Sequence, residues 1–139
     1  MGITEDSMSK SSQETPKPVI SIDNLQVKFK TEGETVIAVN KVSFSVCAGE
    51  TVCLVGESGS GKSVTSLSLM RLVEFGGGKI TNGRMILERD DETEKNLVEA
   101  DAATMRSIRG NEIGMIFQEP MTSLNPVFTI ERQLTDGLR

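Results

Sequence analysis

Lys62 and Ser63 close a glycine-rich run, Gly56-Glu57-Ser58-Gly59-Ser60-Gly61-Lys62-Ser63, and an ammonium beside a hydroxyl at this spacing suits one chemistry in particular. The run fits G-x-x-x-x-G-K-[ST], the loop that holds nucleotide phosphates. Glycines at 56, 59 and 61 let an anion approach the backbone with no Cβ in the way. Successive N–H groups then form a nest continuous with a helix N-terminus, whose unpaired donors and positive dipole end favour phosphate oxygens. In that arrangement Lys62 reaches the β and γ phosphates and the Ser63 hydroxyl is a magnesium ligand, so ATP and Mg2+ are the implied cofactors. Val64, the next residue, completes the set set against the nucleotide. A plain Gly-Ser turn before a helix has the same letters, but the flanks argue against it.

Those flanks must position the loop. Thr51 to Val55 reads as a short apolar strand, and Val64, Leu67, Met70 and Val73 recur at helical spacing, which gives the strand, loop and helix the motif requires. The helix is expected to end near Glu74, since Gly76-Gly77-Gly78 cannot propagate it. Upstream, Ile20, Ile22, Leu25, Val27 and Phe29 alternate with one slip near Asn24, as a half-buried strand does. Glu32-Gly33-Glu34 is a turn into a second strand, Val36 to Val46, with Val42, Phe44 and Val46 on one face; Ala48-Gly49-Glu50 turns into the third. Two antiparallel strands, a buried strand and a phosphate loop describe a small β-layer stacked on an α/β core.

Downstream, Gly83 to Glu88 reads as a short strand and the acidic stretch Glu88 to Glu99 as a solvated loop. Asp101 caps a helix through Arg109 that Gly110 stops. Ile113 to Phe117 is a further strand candidate, and it runs into Gln118-Glu119-Pro120-Met121-Thr122-Ser123-Leu124-Asn125-Pro126, a proline-bracketed loop at the C-terminal end where open α/β sheets collect ligands. Residues 1–18 are polar and short of apolar side chains, and so are expected to be a disordered tail.

Composition narrows the classes. The 139 residues are enough for one domain of ordinary size with a modest core. A net charge of −5 argues against a nucleic-acid partner, and the absence of histidine removes imidazole acid–base chemistry and imidazole metal ligands. Cys47 and Cys53 match no zinc or redox spacing and read as a reduced, buried pair. With no run of 18 apolar residues and no apolar core in Met1 to Lys10, neither a membrane span nor a signal peptide is expected.

Three stretches taken together, G-E-S-G-S-G-K-S at 56–63, M-R-S-I-R-G at 105–110 and F-Q-E-P-M-T-S-L-N-P at 117–126, resemble ATP-binding cassette (ABC) transporter ATPases. Their wording is similar to the ATP-binding subunits of oligopeptide, dipeptide and glutathione importers, and the likeness covers residues 19–139. It implies an α/β P-loop NTPase fold of the ABC ATPase type, truncated, with an N-terminal antiparallel β-layer on an incomplete α/β core. Gln118 then corresponds to the family's Q-loop glutamine, which reaches the magnesium or the attacking water, and Phe29 to the aromatic that stacks on adenine. The implied partners are transmembrane permease subunits at the cytoplasmic face of the inner membrane, a second ATPase cassette (separate or fused) and, indirectly, a periplasmic substrate-binding protein.

The departures from the family pattern are specific. No apolar run here ends in paired carboxylates, the L-S-G-G-Q signature is absent, and no histidine can act as the switch residue. The resemblance therefore implies the N-terminal part of a transporter ATPase, residues 19–139 of it, with no catalytic residue of its own. In the family's sheet the strands flanking the phosphate-loop strand come from later sequence, so Val52 to Val55 is expected to lack its neighbours. Two other readings stay open: a cassette that binds nucleotide or its membrane partner without hydrolysis, and a small P-loop kinase acting on a metabolite.

Overall fold

The computed structural model describes residues 17–89, 93–118 and 124–135. They fall into two compact units that divide between Met105 and Arg106, inside one helix. The expected tail lies outside the described residues up to position 16; Pro18, at its end, already opens the first strand.

The first unit is organised by a four-stranded sheet in the order β2-β1-β3-β4, built from β1 (Pro18–Lys30), β2 (Thr35–Cys47), β3 (Gly78–Glu88) and β4 (Glu94–Asn96). All of its pairings are antiparallel. The sequence alternation explains β1: Ile22, Leu25 and Val27 point to one face and are buried at 3%, 0% and 0% exposure. The slip near Asn24 is a bulge, where Asn24 takes φ 50 and its N–H donates to the Ser43 hydroxyl at 2.8 Å. After it, Leu25 pairs with Val42 and the apolar side chains return to the inner face. Gly83 lies against this bulge at φ 103, and a Cβ there would sit 2.6 Å from the Asp23 carbonyl oxygen. Only glycine fits that place.

A further bulge, at Ala38, lets Val39 pair with Val27 on the inner face while Ile37 pairs with Lys28 on the outer one. The hairpin turn closes as the composition indicates, with Gly33 at φ 102 and Thr31 N–H donating to the Glu34 carbonyl at 3.0 Å. The inner face packs Leu25, Val27, Val39, Met85 and Leu87 with Val73, Leu97 and Met105 into the core. Burial of each large side chain contributes about 1.5–3 kcal/mol.

The structure corrects several expectations. The helix after the glycine loop, α1 (Lys62–Leu69), stops before Glu74 and is followed by a 3₁₀ turn, Leu72–Gly76. Thr65, Ser66 and Ser68 donate their hydroxyls back to the carbonyls of Gly61, Lys62 and Val64, competing with the helical ladder. Arg71 then turns left-handed at φ 51, its guanidinium paired with Glu74 at 2.9 Å and bonded to the Ala100 carbonyl. β3 starts at Gly78 rather than Gly83, because Phe29 of β1 pairs with Gly78 and extends the ladder. The acidic stretch is only partly loop: β4 pairs with β3, and the buried Leu97 draws the chain back to the core, its N–H donating to Met85 at 2.7 Å. Residues 90–92 lie outside the described set. The helix α2 (Ala102–Ile108) forms as expected, with Thr104 N–H donating to the Asp101 carboxylate at 2.7 Å and Gly110 at φ 80 beyond its end.

The strand expected at Thr51 to Val55 is not formed. Residues 51–57 carry no regular structure, with Leu54 40% and Val55 93% exposed. The strand expected at Ile113 to Phe117, in the second unit, is absent too: a single bridge joins Arg109 to Ile113, and Ile116 is 98% exposed. A strand of this apolar kind is stable when neighbours satisfy its backbone on both sides, and among the described residues no strand pairs with either stretch. The cysteines follow suit. Both are free, Cys53 is exposed and Cys47 half-buried, so the buried pair is not found. Partial burial and the Glu50 carboxylate raise the Cys47 pKa and keep the thiol protonated.

Among the described residues the second unit holds one further helix, α3 (Ile130–Thr135). Gln133 ties its start to the preceding loop through Asn125 and Phe128, and the Arg132 guanidinium lies 4.2 Å over the Phe128 ring.

Candidate phosphate-binding site

Gly61 joins the glycine loop to α1, standing at its N-cap in the left-handed region at φ 91. A Cβ at this position would collide with the Ala38 carbonyl oxygen, which the β2 bulge turns toward the loop. The sheet thus fixes where the helix begins. Gly56 is constrained as well, since a Cβ on it would lie 2.6 Å from the Ser60 hydroxyl.

Lys62 arches back over the loop that precedes it. Its ammonium donates to the carbonyls of Gly56 and Glu57, each at 2.6 Å, and to the Ser60 hydroxyl at 3.3 Å. The charge-assisted pair of carbonyl bonds draws the two ends of the loop together and holds the cation at its centre. Ser60 N–H turns toward the Glu57 carbonyl at 3.3 Å. The N–H groups of Gly59, Gly61, Lys62 and Ser63 have no acceptor among the described residues, as the first turn of a helix leaves them. An ammonium and several unpaired amides therefore lie in one loop at the positive end of a helix dipole, a combination suited to an anion.

Ser63 is exposed, and its hydroxyl has no partner among the described residues. That fits a hard divalent cation held by one hydroxyl and by phosphate oxygens, a pattern usual for magnesium. Among the described residues no group of three or more His, Cys, Asp or Glu converges to offer a protein-only cage.

The remaining expected residues stand on other elements. The Phe29 ring lies over Gly78, whose added Cβ would meet its Cζ at 2.8 Å with Val73 alongside, so the ring is half-buried against the inner face. Gln118 is exposed and belongs to the second unit, and residues 119–123 of its loop lie outside the described set. Sequence reasoning missed the Gly56 and Glu57 carbonyls as the anchors of Lys62, because backbone acceptors leave no trace in residue types. It missed Ala38 for the same reason.

Comparison with known families resolves what the loop alone leaves general. The family model described as ABC transporter matches residues 39–137, a span that takes in most of β2, the glycine loop and the Gln118 loop. The chain belongs to the ABC transporter family. It has that family's P-loop domain, here an antiparallel β-layer with an incomplete α/β core. Relatives within the family share about half of its residues. The glutathione import ATP-binding protein GsiA of Escherichia coli (strain K12) is 49% identical over 121 residues, which cover 87% of this chain and 19% of the relative. GsiA of Pectobacterium atrosepticum is 51% identical over 123 residues, 88% of this chain and 20% of the relative. A Brucella abortus (strain 2308) protein, provisionally named a peptide import ATP-binding protein, is 52% identical over 123 residues, 88% of this chain and 36% of the relative. The chain thus spans about a fifth to a third of the length of these relatives.

Proposed function

We propose that this chain is the N-terminal portion, residues 19–139, of the nucleotide-binding domain of an ABC importer that takes up glutathione or short peptides. The observation that carries this reading is the Lys62 ammonium, anchored on Gly56 and Glu57 beside unpaired loop amides, in a chain of the transporter family. The names of the relatives support the substrate class.

In this reading the amides of Gly59, Gly61, Lys62 and Ser63 bind the phosphate oxygens of ATP. The long bond from Lys62 to the Ser60 hydroxyl, 3.3 Å, is the one a phosphate oxygen replaces, while the carbonyl bonds keep the ammonium in place. Ser63 and, by the family resemblance, Gln118 are the residues that would hold Mg2+, which would neutralise phosphate charge when bound. Phe29 stacks on adenine, a contact worth about 1–3 kcal/mol in nucleic-acid systems; its ring is half-buried, so only its free edge and face are available for this.

Partners are permease subunits and a second ATPase cassette, with a periplasmic binding protein acting through the permease, and the place of action is the cytoplasmic face of the inner membrane. Among the described residues no helix is long and apolar enough to cross a membrane, and attachment through the permease needs none. The residues described contain no paired carboxylate to act as general base, a group that contributes typically ~10²–10⁴ in rate, so this chain binds nucleotide without appreciable turnover.

Calorimetry on the folded full chain tests the reading. Magnesium-dependent ATP binding is expected, weakened at least about tenfold by Lys62→Ala, since a charged hydrogen-bond donor contributes about 1.5–3 kcal/mol. A folded sample that takes up no nucleotide overturns it. ATP turnover above background that Lys62→Ala abolishes would show that a general base is present after all.

A further inference from the structure

The outer face of the sheet, the side turned away from α1, carries a cleft of about 250 Å³ lined by Lys28, Lys30, Thr35, Gly77, Lys79 and Thr81. Alternation along β1 puts Lys28 and Lys30 on this face while Val27 and Phe29 face inward. The strand register sets Lys28 directly opposite Lys79, and Lys30 opposite Thr35. Thr81 is fixed on the same face by its hydroxyl bond to the Gln26 side chain at 2.9 Å.

Three ammoniums around one small cleft are costly to the fold. Like charges directly opposite in a ladder repel, so the Lys28–Lys79 pair works against β1–β3 pairing. None of these lysines has a carboxylate partner among the described residues, although the chain carries a net charge of −5. Protection of an open sheet edge does not account for Lys28, which lies on the interior strand β1; Lys79 stands on the stretch of β3 that β4, paired only with Ile86 to Glu88, leaves open. The cleft walls are the lysine stems, with the charged ends at the rim. Its volume falls below the roughly 300–1,000 Å³ of pockets for drug-sized ligands and suits a phosphate or diphosphate group rather than a whole nucleotide. Lysine binds phosphate as a point charge, whereas planar carboxylate recognition favours the arginine fork.

We propose that Lys28, Lys30 and Lys79 form a binding site for a small phosphate-bearing anion on the outer face of the sheet, separate from the glycine loop. A free diphosphate and the headgroup of an anionic lipid present the same chemistry to it.

The test uses the full chain carrying Lys62→Ala, which weakens the glycine loop, and amide shifts at residues 56–63 report any anion still held there, so the outcome is separable from the function proposed above. Titration with inorganic pyrophosphate, followed by amide shifts, is expected to give saturable changes at residues 28–30, 35 and 77–81, weakening as salt rises. The double substitution Lys28→Gln with Lys79→Gln is expected to weaken binding at least tenfold while raising the melting temperature, because the cross-strand repulsion is gone. A purely structural role for these lysines would lower it. If the double variant does not fold, Lys30→Gln alone, at the hairpin end, gives the same reading. Vesicles of phosphatidylglycerol separate the two sources: retention that the double variant loses assigns the site to a headgroup, and pyrophosphate binding without retention assigns it to a free anion. Unchanged affinity in the variants, or shifts confined to residues outside the cleft, overturns the proposal.

Discussion

Leu25 and Val27 in β1 and Val52 to Val55 before the glycine loop are apolar residues of strand-like segments, yet Leu25 and Val27 are fully buried and Val55 is 93% exposed. The difference lies in where their partners come from. A tight turn at Glu32 to Glu34 delivers β2 to β1, whereas strands of a parallel core reach each other only through long crossovers. Hydrophobicity makes a segment able to be a strand, and a neighbour decides whether it becomes one. The consequence for the candidate site is that the loop is held from its helix side, through Gly61 against Ala38, rather than from the strand that precedes it.

Hydrogen exchange should show this contrast at its largest. Amides of Leu25, Val27, Met85 and Leu87 are expected to exchange only through near-global opening, while those of residues 52–57 and 114–117 exchange with free energies close to zero. Strong protection at 52–55 in a monomer would break the comparison. Core truncation comes next. Leu25→Ala should cost about 2–5 kcal/mol in denaturant unfolding, against less than about 0.5 kcal/mol for Val55→Ala. Equal costs would mean that Val55 has a partner in solution.

Gly83→Ala sharpens the account of the sheet itself. The left-handed φ and the clash with the Asp23 and Asn24 carbonyls predict a loss of at least about 1–2 kcal/mol, and a tolerated substitution would show that the β1 bulge can move. The smallest effect concerns Asp101. Bonds from the Thr104 N–H hold its carboxyl below the ordinary carboxylate range. Because the folded-state pKa is the lower one, the stabilisation is complete above the unfolded value of about 3.9 and is lost as pH falls through the folded value. Thermal melts at successive pH values should lose that dependence in Asp101→Asn, which still caps the helix.

Much of the β-layer could be read from residue types. Alternation in β1, the slip at Asn24, the turns at Gly33 and Gly49 and the Asp101 cap all depend on local backbone geometry, which neighbouring residues set. The early end of α1 could not be read in the same way. It depends on three hydroxyls choosing backbone acceptors and on Arg71 finding both Glu74 and the distant Ala100 carbonyl. The candidate site divides similarly. The motif placed Lys62 and Ser63, while the acceptors that anchor the ammonium are backbone atoms. The lysine cleft was only half visible, since K-F-K puts Lys28 and Lys30 on one face but nothing local links them to Lys79.

By itself the sequence determined the composition of the glycine-rich loop and the existence of its helix, because a glycine-rich loop and a helical turn are dictated by residues adjacent in the chain. Tertiary structure decided which apolar stretches became strands and which carbonyl met Gly61. It also decided which lysines shared a cleft. Those outcomes depend on strand register and on backbone groups brought together from far apart in the sequence, and pairing energy between such groups exists only once the sheet has formed.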